Sequence, residues 1–193
     1  MEITKEMKTH FEKRLKRHKD SFEFFHFHYS CVSDFLEPLD LTYKEPLSYG
    51  EETPSNHDSS KLIEPEYTPY ILITWEYYCK RKGIPFEVDF ITRDSMIEAT
   101  EHHIRNNRHH PEFWVTQTDQ DFINKLNRDK PVKLLNASKM PKKHIVEMCA
   151  DWCSVSLERG NTPMEWAEKN IGVRWKFGKE KEDFIYKVLD KMW

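Results

Sequence analysis

At 193 residues, with 38% hydrophobic and 33% charged side chains and a formal net charge of −3, the chain is long enough to bury one proper core beneath a heavily charged surface. An aromatic share of 13% argues against disorder, the slight negative charge leaves no global basic footprint for nucleic acid, and no apolar run approaches the ~20 residues of a membrane span. Only five glycines occur and no Gly-rich phosphate loop is present, which disfavours P-loop and dinucleotide-binding folds.

The first residues, Met-Glu-Ile-Thr-Lys, form no apolar leader, so no secretory signal is expected. Cys31, Cys79, Cys149 and Cys153 contain no CxxC pair and read as reduced thiols of a cytoplasmic protein. Cys149 and Cys153 stand one helical turn apart, a weak signal for metal without a second cysteine pair. Over residues 1–20, Ile3, Met7, Phe11 and Leu15 recur at i, i+4 with Lys and Arg between them, which predicts an amphipathic helix with a basic outer face and with His10 and His18 at the surface. A second helix is expected over 21–39. Phe22, Phe25, Tyr29, Val32 and Leu36 make its apolar stripe, and His28, Val32, Phe35 and Leu39 an adjoining one. That pattern points His28 inward and leaves His26 nearer the rim. Residues 40–56 read as a loop ending at Thr53-Pro54-Ser55-Asn56, a helix-start signal, and His57-Asp58 follow directly.

A helix is expected over 66–82, with Ile71, Leu72, Trp75, Tyr78 and Cys79 facing the core, Gly83 at its C-terminal cap and Pro85 preventing continuation. Residues 86–91 form a connection. The next helix, over 93–110, is unusually rich in histidine: four of the chain's ten fall between 102 and 110. Met96, Ala99, His103, Asn106 and His110 follow a 3-4-3-4 step and share one face. His103 and His110 are therefore the inward pair, His109 competes if the helix ends early, and His102 lies off that face. Phe113 and Trp114 anchor the chain beyond Pro111, and a short helix is expected over 119–128. A helix begins with Pro141 as its first residue and ends before Gly160. Ile145, Met148, Trp152 and Val155 form its apolar side, with Glu147, Asp151 and Ser154 alongside. Asp151, set between Met148 and Trp152, is at least half buried and needs a cation or hydrogen-bond donors. Thr162-Pro163 caps a further helix to about Ile171, and residues 179–192 make the last one, with Phe184, Ile185, Val188, Leu189 and Met192 inward. The sum is a single all-α domain of seven or eight helices.

In chain order the candidates are His28, His57, Asp58, His103, His109 or His110, and Asp151. This order resembles the HD-domain superfamily, an α-helical bundle in which an early helix supplies a His, a second the His-Asp pair and a late helix an Asp. The resemblance implies His28, His57, Asp58 and Asp151 as metal ligands, with His18 and His26 competing for the first place. The intervening histidines resemble the extra ligands of members that hold two metals. Three blocks, His57-Asp58-x-Ser60-Lys61, Asn107-x-His109-His110-Pro111-Glu112-x-Trp114 and Glu147-Met148-x-x-Asp151-Trp152, bring a closer likeness. They resemble an uncharacterised family of small bacterial and phage proteins, a domain of unknown function, over about residues 28–155. The first helix and the tail beyond Gly160 then stand as peripheral.

Imidazole and carboxylate together suit Mn, Fe, Co, Ni or Zn, one or two ions, better than Ca. The expected function is a metal-dependent phosphohydrolase using a metal-activated water on a nucleotide or other small phosphate ester. Asp58 would assist proton transfer, Lys61 would contact the phosphate, and Arg105 and Arg108 would grip the anion. Glu112 or Glu147 would orient a histidine from behind. A non-enzymatic helical interaction module and an HD-type di-iron oxygenase are the alternatives. A homodimer is compatible with all three.

Overall fold

A computed structural model describes residues 1–33, 56–124, 127 and 129–193. The expected helix beyond residue 33, with Phe35, Leu36 and Leu39, and the loop with its Thr53-Pro54-Ser55 start lie outside the described residues, as do the side chains of Cys31 and Val32.

The described chain is helical: α1 (Lys5–Ser33), α2 (Tyr67–Lys82), α3 (Phe90–Asn106), α4 (Gln117–Gln120), α5 (Lys142–Arg159), α6 (Pro163–Asn170) and α7 (Lys179–Met192). One two-residue parallel pair, β1 (Leu135–Asn136) and β2 (Trp175–Lys176), ties together two stretches with no helical period. No helix is long and apolar enough to cross a membrane among the described residues.

The first two expected helices are one. No Pro or Gly interrupts residues 5–33, so nothing ends the helix near residue 20. Its inward stripe runs Met7, Phe11, Leu15, His18, Phe22, Phe25 and Tyr29, all buried. Every step is three or four residues, the period of one unbroken helix, and one of the seven positions is a histidine. Helix α3 begins earlier and ends earlier than the spacing predicts. Asp89 caps its start by accepting from the Thr92 amide. At its end Asn107 is extended, and its side-chain amide donates to the His103 carbonyl, so His109 and His110 lie beyond the helix. Pro111 disfavours the helical conformation at the preceding residue, consistent with that early stop. Helix α4 is likewise shorter than the expected 119–128. Thr162 and Glu165 form a reciprocal capping box at α6, as the sequence there suggests.

Two apolar clusters result. Met7, Phe11 and Leu15 of α1 pack with Ile71 and Leu72 of α2 and Met96 of α3. Phe22, Phe25 and Tyr29, further along α1, pack with α5, α6 and α7. Helix α5 is the most enclosed element, with Ile145, Val146, Cys149, Ala150 and Cys153 at zero exposure. Burial pushes the Cys149 thiol well up and the Cys153 thiol to about 12, so both act as protonated packing groups rather than as ligands. His18 sits on α1 between Leu15 of one cluster and Phe22 of the other. The polar centre therefore lies at the seam of the two cores.

Candidate metal centre

Five segments converge on Asp58. Helix α1 brings His18, the turn before the 3₁₀ segment Ser59–Leu62 brings His57 and Asp58, α3 brings His103, the chain after it His109 and His110, and α5 brings Asp151. Asp58 has φ 60°, the left-handed region, which an Asp tolerates better than most side chains. This turn allows two adjacent side chains to aim at one point. The His57 ring is fixed by Phe22, which stacks on it with centroids 3.8 Å apart and planes within 1°.

The donor atoms stand at short range. His18 Nε2 is 3.1 Å from Asp151 Oδ1, 3.3 Å from His57 Nε2 and 3.5 Å from Asp58 Oδ2. His57 Nε2 is 3.6 Å from Asp151 Oδ1. On its other side Asp58 Oδ1 lies 3.2 Å from His103 Nε2 and 3.9 Å from His109 Nε2. His103, His109 and His110 make a second set whose ligand atoms lie within 4.8 Å of one another, as do those of His18, His57 and Asp58. Ligand atoms about 2.1 Å from one ion stand roughly 3.0–3.5 Å apart at right-angle and tetrahedral separations. The set around His18 already has that spacing, so the residues present fit a metal ion. Asp58 stands between the two sets, with Oδ2 towards His18 and Oδ1 towards His103 and His109.

Burial opposes ionisation of Asp58, yet Lys61, His57 and His103 hold its carboxyl well below the usual range. Asp151 is similar: burial opposes its charge, and hydrogen bonds from His18 and His57 outweigh it. Both are therefore carboxylates at neutral pH, the form that binds a cation.

Behind the ligands stands Glu66, fully buried just ahead of α2. Its two oxygens take His102 Nδ1 and His103 Nδ1, each at 2.8 Å, and Ser60 Oγ donates to it at 2.9 Å. Burial works against the Glu66 charge, but the hydrogen bonds from His103, His102 and Ser60 hold its pKa down. A carboxylate on Nδ1 orients the His103 ring with its Nε2 towards Asp58 and raises its basicity. Nothing in the sequence marks Glu66, a single Glu without a motif. Glu147 instead pairs with His144 (2.6 Å), and burial pushes its carboxyl up. Glu112 is buried beside Arg174 at 3.7 Å.

His57, Asp58, His103, His109, His110 and Asp151 thus come together as their positions in the sequence suggest. His28 does not: it is exposed and stacks on Phe24. The continuous stripe of α1 sets the phase of the helix, turning His28 out and His18 in. His26 is buried beside Phe22, outside the cluster, and burial followed by the charge of His57 lowers its pKa to about 4. Arg105 is tied to Glu101 at 2.6 Å and to the Gln120 carbonyl, and Arg108 lies over Phe113. Neither lines the cavity of about 210 Å³ into which the cluster opens. The cations that do are Lys61, Arg14 and Arg159.

Fold and site together define an all-α protein with a buried His/Asp cluster able to hold a metal ion. The chain belongs to the Family of unknown function (DUF5662), whose family model matches residues 7–191. Helix α1 and the last helices are therefore part of the family's shared region, not additions to a core at 28–155. No curated protein and no solved structure matches the chain.

Proposed function

We infer that the protein is a metal-dependent phosphohydrolase acting on a nucleotide or another small phosphate ester. The observation that carries this reading is the coordination-spaced His/Asp cluster opening into a cation-lined cavity. His18, His57, Asp58 and Asp151 would hold one ion, and His103, His109 and His110 with Asp58 a second; Mn, Fe, Co, Ni or Zn suits these donors. Such an ion supplies a Lewis acid and a water whose pKa falls towards ~7. Asp58 then serves as ligand and as proton carrier. Lys61, 2.6 Å from Asp58 Oδ2, neutralises phosphate charge at the same point. Arg14 and Arg159 add positive charge to the walls, and a phosphate drawn into the cavity is held among them. The HD-like ligand order favours the same chemistry, with His18 in the place of the first histidine. The open cavity favours a catalytic over a purely structural ion.

Elemental analysis of the purified protein tests this, alongside phosphate release from a nucleotide panel. One or two equivalents of metal, lost in His57→Ala and Asp151→Ala, and phosphate release lost in Asp58→Asn, are expected. Asp58→Asn is chosen because Asn also tolerates the left-handed backbone. Metal bound without phosphate release across the panel would sink the hydrolase reading.

A further inference from the structure

A second cleft, of about 760 Å³, opens between α1 and α2 and is lined by five cations and one carboxylate. The carboxylate, Asp20, is already taken up by Lys16 at 2.8 Å. Lys13, Arg17 and Lys82 carry no ion pair among the described residues, and Arg81 reaches only Glu158, at 3.6 Å. In a chain of net charge −3 this is a concentrated positive field. His10, also in the wall, registers it: burial first, then Arg81, Arg17 and Arg14, push its imidazole below its usual value. Tyr78 lines the same cleft, with its ring 4.6 Å from that of His10.

The cleft and the metal centre are linked by side chains that wall neighbouring cavities. Arg17 and Arg81 also line an intermediate cavity of about 320 Å³, whose other walls include His18, Arg14 and Glu158, the last already held by two hydrogen bonds from Arg14. Arg14 and His18 in turn line the cavity of the metal centre. From His18 to His10 the track follows eight residues of α1, about 12 Å at the rise of a helix. A single phosphate group does not span it.

We propose that the cleft between α1 and α2 is a subsite for the remote part of an extended phosphate-chain substrate, whose terminal phosphate reaches the metal centre. This rests on the phosphohydrolase reading and narrows it to compounds with several linked phosphates. The inner phosphate meets Lys61 and the ligand cluster, the next ones pass Arg14, and the remainder lies among Arg17, Arg81, Lys13 and Lys82. Arginine forks and lysine point charges are the usual partners of such anions. A nucleoside triphosphate would lay its ring at the Tyr78 end, whereas an inorganic polyphosphate would use the cations alone.

The test is calorimetric titration of the full chain, as wild type and as Asp58→Asn, with inorganic tripolyphosphate, inorganic monophosphate, adenosine triphosphate and a single-stranded oligonucleotide, beside a phosphate-release assay on the same compounds. Tripolyphosphate is expected to bind at least tenfold more tightly than monophosphate. The combined Lys13→Glu, Arg17→Glu and Lys82→Glu variant should lose that advantage while its circular dichroism and its monophosphate affinity stay unchanged. Tighter binding of adenosine triphosphate, reduced in Tyr78→Ala, identifies a nucleotide; equal binding identifies a bare phosphate chain. Tripolyphosphate affinity indifferent to the charge reversals overturns the proposal, as does tighter binding of a single-stranded oligonucleotide, which would make the cleft a nucleic-acid track. Cleft-dependent binding without any phosphate release keeps the ligand class and rejects the hydrolase reading instead.

Discussion

His18 stands in the α1 stripe between Leu15 and Phe22, and it is about as buried as Leu15. A histidine there is costly unless its ring nitrogens find partners, and Nε2 finds His57, Asp58 and Asp151. His28, ten residues on, faces solvent. His18→Ala should therefore lower the metal content of the purified protein while His28→Ala leaves it at the wild-type value; equal metal content in the two variants would remove α1 from the site. Glu66 acts one step further out. Its substitution by Gln keeps the volume and one hydrogen bond but weakens the hold on His102 and His103, so metal affinity should fall about 10–100-fold in a competition titration against a chelating dye. An unchanged affinity would reduce Glu66 to a structural partner.

At the scale of elements, α5 is the axis against which the rest is placed. It carries Asp151 on one turn and ends at Gly160, which has φ 71° and no atom within 4 Å of where a Cβ would stand. Gly160→Ala should cost about 1–2 kcal/mol through the backbone alone, read as a shift in urea midpoint with an unchanged slope. A neutral result would mean that the cap relaxes out of the left-handed region. Helix α1 is pinned to α5 by Arg14, whose guanidinium donates two bonds to Glu158 at 2.9 and 2.8 Å. Burial opposes the Glu158 charge, but Arg14, with help from Arg81 and His18, lowers its pKa below the ordinary 4.5. A carboxyl depressed in the folded state stabilises above its unfolded pKa, and that stabilisation is lost as pH falls through the lower folded value. The stability gap between wild type and Glu158→Gln should accordingly be full at pH 6–7 and close as the pH drops below about 4.5. A gap that widened in acid would show that the pair does not govern the effect.

For the whole molecule, the notable feature is how many charged groups lie at the seam between its two cores: Asp58, Asp151 and Glu66 are all carboxylates with depressed pKa values. Imidazoles and Lys61 offset part of that charge. A bound cation would offset more, so metal should stabilise the folded chain beyond its local contacts. At a hundredfold excess over its Kd a ligand adds ~2.7 kcal/mol, worth about 5–10 °C in Tm for a chain of this size. Chelation should lower the Tm by that order, and re-addition of the ion should restore it; a Tm insensitive to chelator would argue that the cluster is satisfied by its own hydrogen bonds.

Periodicity and punctuation determined most of the architecture. The apolar stripes of α2, α5 and α7, the glycines after α2 and α5 and the Thr162 cap are local signals, because a helix buries one face and ends where its backbone bonds find substitutes. The residue types of the site were legible as well, since His57-Asp58, the run after His102 and Asp151 are unusual wherever they fall. What the sequence could not decide was phase and distance. Whether His18 or His28 faces inward depends on α1 being one helix, which its uninterrupted residues permit and the two cores it bridges complete. That Glu66 meets His103 across 37 positions, and that Arg105 and Arg108 turn away while Arg14 and Arg159 line the cavity, follows from how helices pack. Side chains far apart in the chain acquire a separation only when the cores beneath them close, and a separation of about 3 Å is what ligation requires.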